Sequence, residues 1–392
     1  MQTPGTTAAS LVCVVSTVKD TAANLDRFVR RNLAAGADHL FVFLDDAEPG
    51  THAHLDEHPH VTAVRTDAAY WGDERPGSLN ERQVVNANVA NVLVSVVGEV
   101  AWLFHIDGDE CLDLDREGLL ALDADVTAVR LRTLESVAVG ADEEPRERFK
   151  RPLAPDELAL LATLGEIPEP SMLEYFNGHL GGKSGMRPSP DRRLQVHAVA
   201  TLDRQPVEPV RGDWLNLLHY ESFSVEEFTR KWTNHLEAVT VARFRDRRER
   251  LRASLGRLMA LELPEERRRE LLAEIHRRHI EDDVDLLDEL GFLVRPRPEW
   301  HAHDPAPFPE ETARELDELL GLLRGADKDY FRLRGGRPPR ELLASLADRV
   351  EAGSLRDRLR AAGAVPESEP DPEAAEAEAP EAAETGEVTQ EE

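Results

Sequence analysis

Two carboxylates flanking one glycine, Asp107-Gly108-Asp109, with Glu110 directly behind them, close the apolar run Trp102-Leu103-Phe104-His105-Ile106. Carboxylate oxygens are hard ligands, and a pair of them at a strand end suits a divalent cation such as Mn²⁺ or Mg²⁺. In an extended strand, residues two apart project to the same side, so the spacing predicts that Asp107 and Asp109 share one ion. Gly108 would leave room for a ligand to approach the backbone. A cation held there would bind a diphosphate. The same spacing recurs at Asp113-Leu114-Asp115, Asp123-Ala124-Asp125 and Asp283-Val284-Asp285, without the apolar strand in front. That strand is the distinguishing context, because ligand sites of open α/β sheets lie beyond the carboxyl ends of the strands. The alternative is an acidic turn after a core strand.

The elements that must position this motif alternate. Leu11 to Thr17 is a β-branched apolar run, and Leu25, Phe28, Val29 and Leu33 then recur at helical spacing until Gly36. His39 to Leu44 reads as a second strand ending in Asp45 and Asp46, Val61 to Arg65 as a third, Asn80 to Val97 as a helix, and Ala101 to Ile106 as the strand carrying the acidic motif. Such alternation predicts an α/β fold: a mainly parallel sheet with helices on both faces. From about Asp123 to Leu218 the pattern is irregular, with strand-like pieces at Ala128 to Leu134, Leu194 to Val199 and Trp214 to Leu218 between loops of the kind that shape substrate sites. The expected organisation is therefore a catalytic domain over 1–223, a helical region over 224–363 with helices from Ser224 to about Leu290, Pro309 to Gly325 and Pro339 to Ala362, and a disordered tail over 364–392. The Glu-, Ala- and Pro-rich tail has too little apolar surface to order itself.

Charge and cysteine usage narrow the class. The chain carries a net charge of -29, eleven of those negatives falling in 367–392, so a dedicated nucleic-acid binder is disfavoured. Seven arginines between Arg243 and Arg257, interleaved with Asp246 and Glu249, would allow peripheral contact with a membrane or an acidic acceptor; a solvated, ion-paired helix is the plainer reading. Two cysteines, Cys13 and Cys111, imply no disulfide framework and suit the cytoplasm. Met1 to Ser10 lacks a basic segment, and Val89 to Phe104 is interrupted by Asn91, Ser95, Gly98 and Glu99, so neither a signal peptide nor a transmembrane span is expected.

In this order the motifs resemble those of GT-A fold glycosyltransferases, in particular the bacterial family 2-like group related to the family 92 enzymes. The likeness spans about Leu11 to Trp232. Val14 to Asp20 with Asn24 and Leu25 resembles the opening strand and loop, where a Lys-Asn-Glu sequence is more usual. Phe41 to Asp46 resembles the second strand, Arg82-Gln83 with Asn86 the helix before the metal motif, and Trp102 to Leu112 the Asp-x-Asp-Glu segment. Gly182-Lys183-Ser184 with Arg187-Pro188, Val196-His197, His219-Tyr220, Ser224 to Phe228 and Lys231-Trp232 continue the series.

The resemblance implies transfer of a sugar from a nucleotide-diphosphate donor to a hydroxyl of a glycan or glycolipid, with inversion. A cation bridging the diphosphate stabilises the charge that develops on the leaving group. It implies Asp107, Asp109 and His219 as ligands of Mn²⁺ or Mg²⁺, and Lys183 and Arg187 as fixed cations at the diphosphate. Thr17, Lys19, Asp45, Arg82, Gln83, Asn86 and Asp107 would contact the donor. Inversion requires a carboxylate base within reach of the acceptor hydroxyl, for which Glu221 and Glu174 are the candidates. Two other classes stand beside this one. Phosphatases of the haloacid dehalogenase type also place Asp-x-Asp after an apolar strand, but normally at the start of the domain. A non-catalytic binding protein would use the fold as a scaffold.

Overall fold

The computed structural model describes residues 10–45, 52–72, 74–140, 147–237, 246–351 and 353–364. Asp46, Arg243 and Arg245 of the arginine run, and the acidic tail from Val365 lie outside them.

The described residues form twelve strands: β1 (Leu11–Val18), β2 (His39–Leu44), β3 (Val61–Arg65), β4 (Val100–His105), β5 (Glu110–Leu114), β6 (Ala128–Ser136), β7 (Phe149–Lys150), β8 (Lys183–Met186), β9 (Arg192–Leu194), β10 (Val199–Thr201), β11 (Leu215–His219) and β12 (Leu293–Val294). Ten join in one mixed sheet in the order β12-β7-β6-β8-β4-β1-β2-β3, with β11 pairing both β6 and β5; β9 and β10 make a separate hairpin.

The parallel pairing expected from the alternation is found in β3-β2-β1-β4, where each register runs without reversal. The expectation of a mainly parallel sheet needs correcting beyond β4. There β8 lies antiparallel to both β4 and β6, and β5 is antiparallel to β11. Antiparallel neighbours need no helical crossover, and β8 enters from a long loop rather than a βαβ unit.

All eight residues of β1 are buried, as a strand covered on both faces must be. Val12 and Val14 face a cluster with Leu25, Phe28 and Val29 from the helix Ala22–Ala34; Cys13 and Val15 face the helix Leu79–Val97 on the other side. Thr21 caps the first of these helices, its hydroxyl accepting from the Asn24 N–H at 3.3 Å, and Gly36 follows it at φ 107°.

The helix Leu79–Val97 is buried nearly all round because further helices cover its outer face. Leu316, Leu319 and Leu323 of Glu310–Arg324, Leu343 of Pro339–Leu346 and Leu355 and Leu359 of Gly353–Gly363 share its core. The distal helices thus pack into the same core as the sheet, a coupling that helical periodicity alone could not reveal. The helices Val225–Glu237, Asp246–Met259 and Glu265–His279 form a smaller cluster around Phe228, Trp232, Leu255 and Leu272.

Two expected elements are divided. Leu194 to Val199 is a hairpin turn between β9 and β10, with the Gln195 N–H donating to Ala198 O at 2.8 Å. The stretch from Pro339 breaks after Leu346 and resumes at Gly353.

Candidate metal centre

The chain turns directly after Ile106. The Glu110 N–H donates to Asp107 O at 3.1 Å, and β5 starts at Glu110. Asp107 and Asp109 therefore occupy a turn, where the same-side rule for strands does not hold, and their carboxylates find different partners.

Asp107 accepts from the Gln83 amide at 2.7 Å and pairs with Lys183 Nζ at 2.8 Å. Asp109 pairs with Lys231 Nζ at 2.7 Å and lies 3.7 Å from His219 Nε2. Glu110 is buried; one oxygen accepts from the Asp107 N–H at 2.7 Å and the other lies 3.0 Å from His179 Nε2. Glu221, also buried, pairs with Lys231 at 2.5 Å and stands 3.5 Å from His219 and 3.8 Å from Arg248.

Four strand ends meet here. β4 and β5 supply the acidic turn, β8 begins at Lys183, and β11 ends at His219, whose register partner on β5 is Glu110. The neighbouring Tyr220 N–H donates to Asp109 O at 2.9 Å, fixing β11 against the turn. Gly182 is needed for the approach of β8: at φ 60° its Cβ position would lie 2.2 Å from Leu131 O.

Charge is dense and mostly paired. Burial disfavours charge on Asp107 and Asp109, yet Lys183 holds the first, and Lys231 with His219 the second, below the usual carboxylate range. Burial also opposes ionisation of Glu221, and Lys231 and Arg248 overcome it, keeping this carboxyl low as well. For His219 burial favours the neutral ring, but Asp109 and Glu221 outweigh it and push the imidazole up to about 9. Burial and then Lys183 lower His105 to about 4. Around the acidic turn the four carboxylates of Asp107, Asp109, Glu110 and Glu221 face Lys183, Lys231, Arg248 and the raised His219 imidazole, so an ion bound to His219 would take the place of its proton.

Ligand atoms converge in two places at this turn. Those of Asp109, His219 and Glu221 lie within 4.8 Å of one another, as do those of Glu110, His179 and His219. Among the described residues a third such group, Glu74, Asp327 and Asp329, lies elsewhere and is mainly exposed. Asp107 belongs to none of them. Of the three residues expected to hold an ion, Asp109 and His219 converge, and Glu221 rather than Asp107 stands with them. The oxygen-rich set with one imidazole fits Mn²⁺ or Mg²⁺ by its chemistry.

The helix Leu79–Val97 ties together the carboxyl ends of three parallel strands. Arg82 donates to both oxygens of Asp45 after β2, Gln83 to Asp107 after β4, and Asn86 to Thr17 Oγ1 at 2.9 Å at the end of β1. Tyr70 OH donates to Asn86 at 2.7 Å, and Arg75 pairs with Asp45 at 3.1 Å. Six residues expected to contact a donor thus share one edge of the sheet, with Lys19 on the exposed loop beyond β1.

Arg187 is not brought to this edge. It opposes Trp102, over whose ring it lies at 4.7 Å, and it donates to Leu122 O and Val126 O at 2.7 and 2.9 Å. Four residues along a strand amount to about 13 Å from Lys183. An arginine adjacent to a donor-like loop was the misleading signal. Glu174 sits half-buried on the short helix Met172–Tyr175, whose Tyr175 and Phe176 pack with Leu158, Leu161 and Phe292.

Two participants were not singled out from the sequence as site residues. His179 lies in a loop without periodicity, and only its flanking glycines, Gly178, Gly181 and Gly182, mark the segment. Lys231 sits beside Trp232 and one turn after Phe228, within the apolar stripe of its helix, which is the signal that could have found it. Behind His219 lies a further buried network: Lys150 pairs with Glu135 and Asp282, both at 3.0 Å, and Glu135 accepts from the Asn177 N–H at 2.7 Å and the Gly178 N–H at 2.5 Å.

No family model matches the chain, and no curated protein matches it. Among solved structures it is similar to HddC from Yersinia pseudotuberculosis, at 13% identity and a TM-score of 0.20 over 33% of this chain; it spans 59% of the length of HddC. It is also similar to a mycobacterial protein, at 16% identity and a TM-score of 0.25, over 57% of this chain and 71% of that one. Likenesses of this extent carry nothing about activity. Among the described residues no helix is long and apolar enough to cross a membrane.

Proposed function

We propose that the chain is a metal-dependent glycosyltransferase of the GT-A type, moving a sugar from a nucleotide-diphosphate donor to a hydroxyl of a glycan or glycolipid with inversion. The observation that carries this reading is the convergence of Asp109, His219 and Glu221 beside the carboxyl ends of the parallel strands, next to the buried Lys183. Asp109, His219 and Glu221 would hold Mn²⁺ or Mg²⁺, with Lys231 bridging two of the three. When bound, the ion supplies electrostatic stabilisation of the departing diphosphate.

The protein's own groups perform the remaining work. Lys183 places a fixed positive charge at the same edge, and Asp107 and Glu110 hold its ammonium in position. Asp45, Thr17 and Asn86, buried and linked through the helix Leu79–Val97, would support from beneath the edge at which a nucleotide lies. Glu221 is engaged by Lys231 and by the ion-holding group. We place the protein in the cytoplasm, where its two buried free thiols, Cys13 and Cys111, are stable reduced.

The test is a screen of nucleotide sugars for Mn²⁺-stimulated release of nucleoside diphosphate. Release with one donor, abolished by chelator and restored by Mn²⁺, supports the reading. Binding of Mn²⁺ without release from any donor would remove it.

A further inference from the structure

A neutral imidazole has one lone pair and can serve one ion at a time, yet His219 belongs to two groups of converging ligand atoms. We propose that the second group, Glu110, His179 and His219, is a Zn²⁺ site, and that Zn²⁺ there excludes the ion held by Asp109, His219 and Glu221. The Zn²⁺ site stands on its own donor set; the exclusion rests on the metal-dependent reading above.

The donor sets differ in kind. One imidazole with two carboxylates suits a hard ion, whereas two imidazoles with one carboxylate suit Zn²⁺, which N-rich sites prefer over Mn²⁺ in the general affinity order. The geometry is near what Zn²⁺ requires. Ligand atoms about 2.1 Å from a tetrahedral ion stand about 3.4 Å apart, and Glu110 Oε1 and His179 Nε2 are 3.0 Å apart, so a few tenths of an ångström of opening suffices. The rings of His179 and His219 lie with centroids 4.9 Å apart.

A second observation points to a missing ligand. His219 is 2% exposed, and its Nδ1 has no hydrogen-bond partner; the Nδ1 of His179 is likewise buried and unpartnered. An unsatisfied buried nitrogen is costly, and an ion on Nδ1 of His219 would relieve that defect, leaving Nε2 facing the carboxylates of Asp109 and Glu221 at 3.7 and 3.5 Å, as the second nitrogen of a metal-bound histidine usually faces an acceptor. Asp107 Oδ2 lies 4.0 Å from His179 Nε2 but is held by Lys183 at 2.8 Å, so water would take the fourth position of a tetrahedral Zn²⁺. Zn²⁺ would then act as an antagonist of Mn²⁺ at a shared ligand.

The experiment uses chelator-stripped full-length protein. X-ray absorption at the Zn edge is expected to show two imidazole ligands in the wild type, where the other group offers only one. Zn²⁺ titrated into Mn²⁺-loaded protein is expected to release Mn²⁺, read as the free-ion paramagnetic resonance signal. In His179→Gln, Zn²⁺ affinity is expected to fall by at least the ~10–100-fold that even an outer supporting residue is worth. Circular dichroism verifies that variant's fold, and the absorption spectrum of the wild type stands without it. One imidazole or none at Zn²⁺, unchanged affinity in a folded His179→Gln, or Zn²⁺ and Mn²⁺ bound together would overturn the inference. Failure of Mn²⁺ to bind at all would count against the exclusion and the glycosyltransferase reading, and the Zn²⁺ coordination would still be read independently.

Discussion

Gly178 stands so close to His219 that a Cβ atom at residue 178 would lie 2.3 Å from Cε1 and 2.6 Å from Nδ1 of the imidazole. The same Cβ would come within 2.9 Å of Glu135 Oε2. Neither neighbour can give way, because both side chains are buried and Glu135 is held by Lys150. Gly178→Ala should therefore displace His219 and lower Mn²⁺ affinity by ~10–100-fold, the usual cost of disturbing the support of a ligating histidine. Direct Mn²⁺ titration checks this; wild-type affinity in Gly178→Ala would mean that His219 is not a ligand.

Much of the N-terminal half is legible before any coordinates, because β-branched runs such as Leu11–Val18 and helical spacing such as Leu25, Phe28, Val29 and Leu33 are local signals. The resemblance also points to Arg82, Gln83 and Asn86, which the structure places against Asp45, Asp107 and Thr17. An acidic turn at Asp107-Gly108-Asp109 stands beside the extended strand as the alternative, since an apolar strand followed by polar residues does not say where the strand stops. Glu221 is named from the sequence as a base, and its convergence with Asp109 and His219 follows from the pairing of β11 with β5; His179 arrives only by the return of a long loop, a contact between distant segments. Arg187 shows the converse: its type suited the chemistry, but its place on the far end of β8 is set by register.

Asp45 is 3% exposed and is held by Arg82 through two nitrogens and by Arg75 through one. Breaking a buried ion pair from one side leaves an uncompensated charge. Arg82→Ala should cost about 3 kcal/mol, the low end for such a break, because Arg75 remains. Denaturant unfolding measures it. A stability unchanged within about 0.5 kcal/mol would mean that the pair carries no structural load.

His39 gives the fold a defined acid sensitivity. Its ring is buried between Phe41 and Phe308, with Nε2 2.8 Å from Thr62 Oγ1. Burial, reinforced by His60 and His58, lowers it to about 3. As pH falls below about 6.5, the unfolded chain takes up a proton at this residue that the folded chain refuses, so stability is lost progressively between about 6.5 and 3. At pH 5 the loss from this group is about 2 kcal/mol relative to pH 7. His39→Gln should lose correspondingly less over the same interval; equal losses in the two proteins would show that His39 is not the group responsible.

The two aspartates of the acidic turn should separate by function. Asp109 faces Lys231, His219 and Glu221, whereas Asp107 faces Lys183 and Gln83. Asp109→Asn keeps the shape but removes a charge from the group that would hold the ion, so Mn²⁺ binding and turnover should both collapse. Loss of metal stabilisation of a leaving diphosphate amounts to several kcal/mol, on the order of a thousandfold in rate. Asp107→Asn should leave Mn²⁺ affinity within about tenfold of wild type, because it removes no member of that group, while releasing Lys183 and raising the KM for donor. His219→Ala should fall between them, with excess Mn²⁺ restoring part of the rate as water fills the vacated position. Titrating Mn²⁺ into all three variants while following nucleotide-sugar turnover distinguishes these outcomes. Equal loss of Mn²⁺ affinity in Asp107→Asn and Asp109→Asn would return the ion to the shared position between the two aspartates; full activity of Asp109→Asn without added metal would remove the ion from the reaction altogether.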